Sequence, residues 1–430
     1  MSVVLGAIAD DFTGATDLAN NLVRSGMRCV QVIDVPDDDL VPDDSDAVVI
    51  ALKSRSCPSD EAVADSLKAL NWLQRRAVRQ VFFKYCSTFD STDEGNIGPV
   101  SDALLEALGA SQTVMVPAFP VNRRTVYQGH LFVGDRLLNE SGMEHHPLNP
   151  MRDADLVRVL SKQTPFSVGL VPHEIIVEGA DAVGQHFVEL AHQGIRHLIC
   201  DTIDESDLEV LARSAVQFAL VTGGSGIGQA LPAEYRRMGW LKHLNAADRM
   251  APANGASLVL SGSCSRATLR QIEHFLKHRP GFALDPLRLA EGDEQLQQAV
   301  AFAREHFRDA DRRQDPVMIY ASAGPDSVKA AQQSLGADVA GRLVEQALGK
   351  LARILIDEGV GRLIVAGGES AGAVVSALGI RLLRIGRQID PGVPWTQAEL
   401  PRKSGPLSLA LKSGNFGGVD FFIRAFRELA

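Results

Sequence analysis

The residues with the clearest chemical potential stand directly after short apolar runs. Residues 2–9 lead into Ala9-Asp10-Asp11-Phe12-Thr13-Gly14-Ala15-Thr16-Asp17. Adjacent carboxylates at such a point can serve as a general base, hold a metal or accept from a sugar hydroxyl. Asp11 or Thr13 can equally cap a following helix, since a short side-chain oxygen satisfies its free N–H groups. Capping uses one carboxylate and leaves its neighbour over. Two later runs end in cations and hydroxyls: Ala51-Leu52-Lys53-Ser54-Arg55-Ser56, and Phe82-Phe83-Lys84-Tyr85-Cys86-Ser87-Thr88-Phe89-Asp90-Ser91-Thr92. Lys53 or Arg55 suits a carboxylate, and Asp90 with hydroxyls such as Thr88 suits a sugar. Lys84 lies between aromatics, an odd place for a merely solvated lysine. Arg123-Arg124 is a further basic pair; ordinary loop polarity is the competing explanation for all of these.

The second half carries a different chemistry. Leu260-Ser261-Gly262-Ser263-Cys264-Ser265, then Gly367-Gly368-Glu369-Ser370-Ala371-Gly372, then Leu411-Lys412-Ser413-Gly414-Asn415-Phe416-Gly417-Gly418 each precede a helical pattern. Glycines let an anion approach the backbone closely, and a helix N-terminus offers free amides with a favourable dipole. One such loop is often a tight turn; three together point to phosphate. Gly223-Gly224-Ser225-Gly226-Ile227-Gly228 matches only the start of GxGxxG and is read as a tight backbone loop, not a dinucleotide site. GxxxxGK[ST], GxSxG and the protein-kinase signatures do not occur. His145-His146 lacks metal-ligand spacing.

These loops need elements to hold them. Strand patterns fall at 2–9, 29–33, 47–52, 80–85, 113–116, 197–200, 257–260, 316–320 and 362–366, with helical patterns at 14–24, 60–75, 99–108, 182–192 and 340–357 between them. Such alternation predicts an α/β protein of mostly parallel sheets flanked by helices, with the reactive residues at the carboxyl ends of strands. Residues 231–256 make a poor strand and a poor long helix and close on breaker residues, so the inter-domain connection is placed there. Two domains follow, 1–245 and 255–430. The acidic stretch 34–46 reads as a solvated loop.

Composition narrows the classes. Apolar residues form 45% and charged residues 22% of the 430, which suits a globular protein with a sizeable core. With 53 acidic and 43 basic residues the net charge is −10, so nucleic acid and anionic membranes are poor partners. Five scattered cysteines without CxxC spacing predict free thiols in a reducing compartment. The start lacks a basic signal-peptide region, and no apolar run approaches the roughly 18–20 residues that cross a bilayer. A cytoplasmic protein is expected.

On IADDFTGATD (8–17), ALKSRS (51–56), FFKYCSTFDSTDEGNIGPV (82–100), LSGSCS (260–265), AGGESAGAV (366–374) and LKSGNFGG (411–418), the chain resembles the four-carbon acid sugar kinases. The third motif points to the branch that acts on 3-oxo-tetronates. The resemblance implies a sugar-acid domain (1–245), an ATP domain (255–430), an active site in the inter-domain cleft, and Mg²⁺-ATP phosphorylation of a terminal 4-hydroxyl. D-threonate and D-erythronate are the alternative substrates, and a nucleotide-gated binding protein without turnover is the alternative class. It places ATP at Ser261 or Ser263, Gly367, Gly368, Glu369, Ser370 and Gly414. Asp11 or Asp90 would then accept the hydroxyl proton. Lys53, Arg55 and Lys84 would hold the carboxylate or the moving phosphoryl group, with Asp10 and Thr88 on the substrate. The Mg²⁺ ligands stay open, as does a homodimer.

Overall fold

A computed structural model describes residues 3–429 except 37–39, 43, 147, 243–245, 253, 309–314, 323–332 and 401–404. Parts of the acidic stretch and of the expected connection therefore lie outside the described residues, as does Ser2. The chain forms two compact units, Met1–Asp248 and Arg249–Ala430.

In the first unit β1 (Leu5–Ala9), α1 (Phe12–Arg24), β2 (Cys29–Ile33), β3 (Ala47–Ala51), α2 (Ser59–Arg75), β4 (Gln80–Lys84), α3 (Ile97–Leu108) and β5 (Thr113–Val116) alternate as the pattern predicts. A small antiparallel sheet, β6 (Arg124–Tyr127), β7 (His130–Val133) and β8 (Arg136–Leu137), interrupts them. Then come α4 (Leu156–Ser161), β9 (Ser167–Val171), α5 (His173–Ile176), α6 (Ala180–His192), β10 (Ile195–Cys200), α7 (Glu205–Ala215), β11 (Leu220–Gly223) and α8 (Ser225–Arg237). The main sheet runs β2-β3-β1-β4-β11-β5-β10-β9, parallel throughout. Its strands β1, β3 and β4 are buried at every position, which is why they read as unbroken apolar runs. From β1 the chain crosses to β2, comes back to fill the gap with β3, and then passes to β4 on the other side of β1. The switch point thus falls between β1 and β4, where Ala9 pairs with Lys84.

The second unit contains β12 (Ala256–Ser261), α9 (Arg266–Leu276), β13 (Gly281–Ala283), α10 (Pro286–Ala290), α11 (Glu294–Arg308), β14 (Val317–Tyr320), α12 (Ala337–Asp357), β15 (Val360–Ala366), α13 (Gly368–Leu378), β16 (Leu382–Asp390), β17 (Val393–Ala398), β18 (Leu407–Lys412) and α14 (Phe421–Arg427). Its order is β13-β14-β12-β15-β18-β17-β16, parallel from β13 to β18 and antiparallel beyond. Here the switch point lies between β12 and β15, and Ser261, Ala366 and Lys412 end three adjacent strands level with one another. Trp395, Phe421, Phe422 and Phe426 fill the core beneath.

Two expectations need correction. The Gly223–Gly228 run is no loop: it ends β11 and forms the first turn of α8. Its glycines serve close packing, since a Cβ at Gly223, Gly224 or Gly226 would lie 2.3, 2.5 or 2.5 Å from the carbonyl oxygens of Val116, Pro117 and Ala118. At Gly228 it would lie 2.3 Å from Leu18 of α1. Residues 231–237, expected to be irregular, continue α8 through Pro232. No helix among the described residues is long and apolar enough to cross a membrane, and all five cysteines are unpaired. Gly226→Ala should cost about 1–3 kcal/mol by overpacking. Urea unfolding checks this, and wild-type stability would show that α8 does not need that approach.

Candidate active site

In the first unit the strand ends converge on one guanidinium. Arg55 makes a bidentate pair with Asp10, Nε to Oδ2 at 2.9 Å and Nη2 to Oδ1 at 2.8 Å, and Nη2 also reaches Asp11 Oδ1 at 2.7 Å. Nη1 stands 3.9 Å from Asp90 Oδ2. The backbone sets this up: the amides of Ser54 and Arg55 donate to the Asp10 carbonyl. Asn96, at the start of α3, donates its amide to the carbonyls of Ser54 and Cys57 and pins the Arg55 loop. Asp11 also caps α1, its Oδ1 accepting from Gly14 N at 2.8 Å. The capping role and the charged role are therefore both filled by Oδ1, and Oδ2 keeps no partner among the described residues.

Lys84 is 3% exposed and donates Nζ to the carbonyl of Tyr85 at 2.6 Å. A Cβ on Gly14 would stand 3.2 Å from that nitrogen and 2.3 Å from Asp11 Oδ1, so glycine is required where Lys84, Asp11 and the start of α1 meet. Phe89 adopts a left-handed φ of 51°, strained for a bulky residue, and is held there by full burial and an edge contact with Tyr85 at 5.4 Å. That bend presents Thr88 and Asp90, which share a 2.6 Å hydrogen bond donated by the threonine hydroxyl.

Burial pushes the Asp10 carboxyl above its ordinary value, against the pull of Arg55, while the Asp11 charge adds to the push. Burial works against the Arg55 guanidinium, yet the Asp10 and Asp11 charges outweigh it and keep it charged. Burial and Asp90 raise the Cys86 thiol to about 11, so it is no thiolate nucleophile at neutral pH. Asp10, Asp11, Arg55, Lys84, Thr88 and Asp90 are thus brought together. Lys53 is exposed and makes no hydrogen bond or ion pair with these side chains among the described residues. Arg123 and Arg124 flank the start of β6, where Arg124 donates to the Asn122 carbonyl.

The second unit brings its three glycine loops into mutual contact. A Cβ on Gly262 would lie 2.3 Å from Ser370 Oγ, one on Gly367 3.2 Å from Ser263 N, and one on Gly414 2.7 Å from Ser263 Oγ. The helix starts differ in a telling way. Ser265 caps α9, accepting from Thr268 N at 3.2 Å, whereas α13 begins after Gly367 with no side-chain cap. Gly367 has a φ of 119°, open in practice to glycine alone. The first-turn amides of α13, at Gly368, Glu369 and Ser370, thus have no side-chain cap, an arrangement that suits an anion. Ser261 instead shares a buried hydrogen bond with Ser322 at 2.9 Å, and so supports the loop from beneath.

Asn96, Thr268, Gln271 and Lys412 also position these loops, and sequence reasoning does not single them out. Lys412 has a readable signal, the same one that marks Lys84: a lysine closing an apolar strand. The others are polar residues on helices, and only the packed structure shows what they hold.

Carboxylates and cations at the switch point of one unit suit a polar small molecule, and uncapped amides at the switch point of the other suit a phosphate. Family models agree. One described as a sugar-binding N-terminal domain matches residues 5–231, and one described as a nucleotide-binding C-terminal domain matches 258–422. The chain belongs to the four-carbon acid sugar kinase family. A 3-oxo-tetronate kinase of Pseudomonas fluorescens is 54% identical over 99% of this chain and 97% of its own length. One from Burkholderia multivorans is also 54% identical, over 99% and 97%. A crystal structure from Salmonella typhimurium LT2, of a protein described as a tRNA synthase, is 45% identical with a TM-score of 0.90 over 99% of both chains.

Arg55→Met should leave Asp10 buried and unpaired, at a cost of about 3 kcal/mol. Adding Asp10→Asn should recover part of that loss, because the orphaned charge is then gone. A double-mutant cycle in urea measures the coupling, and strictly additive costs would show that the pair does not hold the site together.

Proposed function

We propose that this chain transfers the γ-phosphoryl group of ATP to the 4-hydroxyl of a 3-oxo-tetronate, releasing ADP and the 4-phosphate. The sugar acid is assigned to residues 1–245 and ATP to 255–430, in keeping with the descriptions of the two matching family models. One observation carries the reading. A chain matched end to end by kinases of that name has charged side chains at one switch point and uncapped amides at the other.

Phosphoryl transfer asks little covalent work of the protein and much positioning. Asp11 is the base: Oδ1 is anchored by Gly14 and Arg55, while Oδ2 is free and its side chain is 29% exposed. Anchoring one oxygen fixes the direction in which the other accepts a proton. Asp10, with both oxygens on Arg55, sets the guanidinium in place. Arg55 Nη1, Lys84 and the exposed Lys53 supply positive charge for the substrate carboxylate or the moving phosphoryl group, and Thr88 and Asp90 face sugar hydroxyls. The amides of Gly368–Ser370, with Ser263 and Gly414, take the ATP phosphates over the support of Ser261, and Gly367, whose own amide donates to the Lys412 carbonyl, gives the bend that exposes them. Glu369 on that loop is close enough to raise the pKa of Glu345 on α12, although burial is the larger cause. This pair suits a divalent cation held mainly by phosphates and water. Mg²⁺, when bound there, offsets charge on the phosphate oxygens.

A coupled ADP-release assay over a panel of four-carbon acids tests the substrate. 3-Oxo-tetronate should give the highest kcat/KM, and preference for D-threonate or D-erythronate would overturn it. Asp11→Asn should lower kcat by about 10²–10⁴-fold with little change in ATP affinity; near-normal turnover removes the base. A Cβ on Gly368 would meet no heavy atom within 4 Å, so Gly368→Leu fits the fold. It should melt normally yet bind ATP at least about tenfold more weakly, a loss of about 1.4 kcal/mol. Unchanged ATP affinity in that variant would remove phosphate from this loop.

A further inference from the structure

Lys412 closes β18 with a side chain that is 1% exposed. Its Nζ lies 3.0 Å from Thr268 Oγ1, 3.1 Å from the carbonyls of Ser413 and Gly414, and 3.2 Å from that of Phe416. Gln271 of α9 draws in the rest, donating Nε2 to the carbonyls of Phe416, Gly417 and Gly418 at 3.0, 2.8 and 3.0 Å. Ser265 and Thr268 hydroxyls also donate to the Gly414 carbonyl, at 2.5 and 2.8 Å. The loop's oxygens are thus gathered on one side. In a trans peptide the N–H points opposite to the C=O. Turning the carbonyls of 413, 414 and 416 toward Nζ therefore turns the amides of Gly414, Asn415 and Gly417 away from it. Among the described residues those three amides donate to no protein group. Successive amides left outward in this way make an anion-binding concavity.

We propose that Lys412 is a positioning residue of the nucleotide site: it gathers the carbonyls of the 413–418 loop so that the amides of Gly414, Asn415 and Gly417 face the ATP phosphates, and it places a buried positive charge behind them. This rests on the reading that the glycine loops take those phosphates. It explains why so costly a residue lies beneath a loop that serine or asparagine could brace. The side chain faces uncharged groups: the Thr268 hydroxyl from α9, the loop carbonyls, and the Phe422 ring of α14 at 5.8 Å. The Asp390–Arg424 pair meets the loop only at Gly418. Burial alone lowers Lys412 to about 8. Its proton is then present at pH 7 and lost by pH 9.5, and bound phosphate favours the protonated form. Cys264 on the adjoining loop is an exposed free thiol, and replacing it keeps thiol chemistry out of the comparison.

The experiment measures ADP affinity by calorimetry from pH 6.5 to 9.5 on full-length Cys264→Ser protein, with and without Lys412→Met. The Lys412-containing protein should bind about tenfold more weakly at pH 9.5 than at pH 7, a linkage of about one pKa unit. Lys412→Met should bind about 10- to 100-fold more weakly at pH 7 and lose the alkaline decline. Its KM for the sugar acid should hold while that for ATP rises. Equal affinity and equal pH profiles in the two proteins overturn the proposal. Should Lys412→Met fail to melt cooperatively, a flat profile in its Lys412-containing parent overturns it. Absence of ADP binding in the wild type would instead overturn the nucleotide reading, and this proposal with it.

Discussion

A parallel β ladder cannot be closed by a two-residue hairpin; every strand must be followed by a crossover that carries the chain back to its starting edge. All carboxyl ends within a sheet therefore face one way, and all the loops that leave them gather on that side. In the first unit this delivers Asp10 and Asp11 after β1, Arg55 after β3 and Lys84 at the end of β4, drawn from residues up to 74 positions apart. In the second it sets Gly262, Gly367 and the loop after Lys412 beside one another. Neither cluster depends on local sequence proximity. Both depend on register, because Ala9, Ala51 and Lys84 end level and so do Ser261, Ala366 and Lys412.

Each unit meets the same difficulty at this edge, a cation at the end of an apolar strand, and meets it differently. Lys84 and Lys412 both turn Nζ onto the carbonyl of the next residue, at 2.6 and 3.1 Å. Near Lys84 stands Asp10, whose carboxyl feels the lysine charge. Lys412 has carbonyl and hydroxyl oxygens only, and burial accordingly draws it down to about 8. The contrast follows from what each unit offers: carboxylates after β1 in one, glycine-rich backbone in the other.

Much of this is legible in the sequence because parallel strands buried on both faces leave unbroken apolar runs. The runs locate the strand ends at Ala9, Ala51, Lys84 and Ala366 to within about a residue, and the charged residues beyond them announce themselves. Legibility fails where tertiary packing decides. The glycines from 223 to 228 read as a tight loop, but the carbonyls of residues 116–118 press so close that only glycine fits at the end of β11 and the start of α8. Strands β6–β8 and β16 escape the pattern as well, since half-exposed or short strands lack a continuous apolar run, and the buried β17 escapes it because Pro394, Thr396 and Gln397 break its run. Arg55 reads in sequence as a clamp for a ligand; its engagement with Asp10 and Asp11 becomes visible only once β1 and β3 are paired.

The placement of the buried cations also sets how this chain meets competing anions. Its net charge is −10, while Lys84 and Lys412 are only 3% and 1% exposed. At distances beyond a Debye length of about 8 Å, an approaching molecule responds to the summed exposed charge. A long polyanion such as RNA or polyphosphate meets that repulsion with many charges at once. A compact anion feels the same repulsion, but weakly, and gains the interior attraction once it is among the loops. The result is a sieve without a steric gate, one that sorts phosphate compounds by size through the depth at which positive charge is stored.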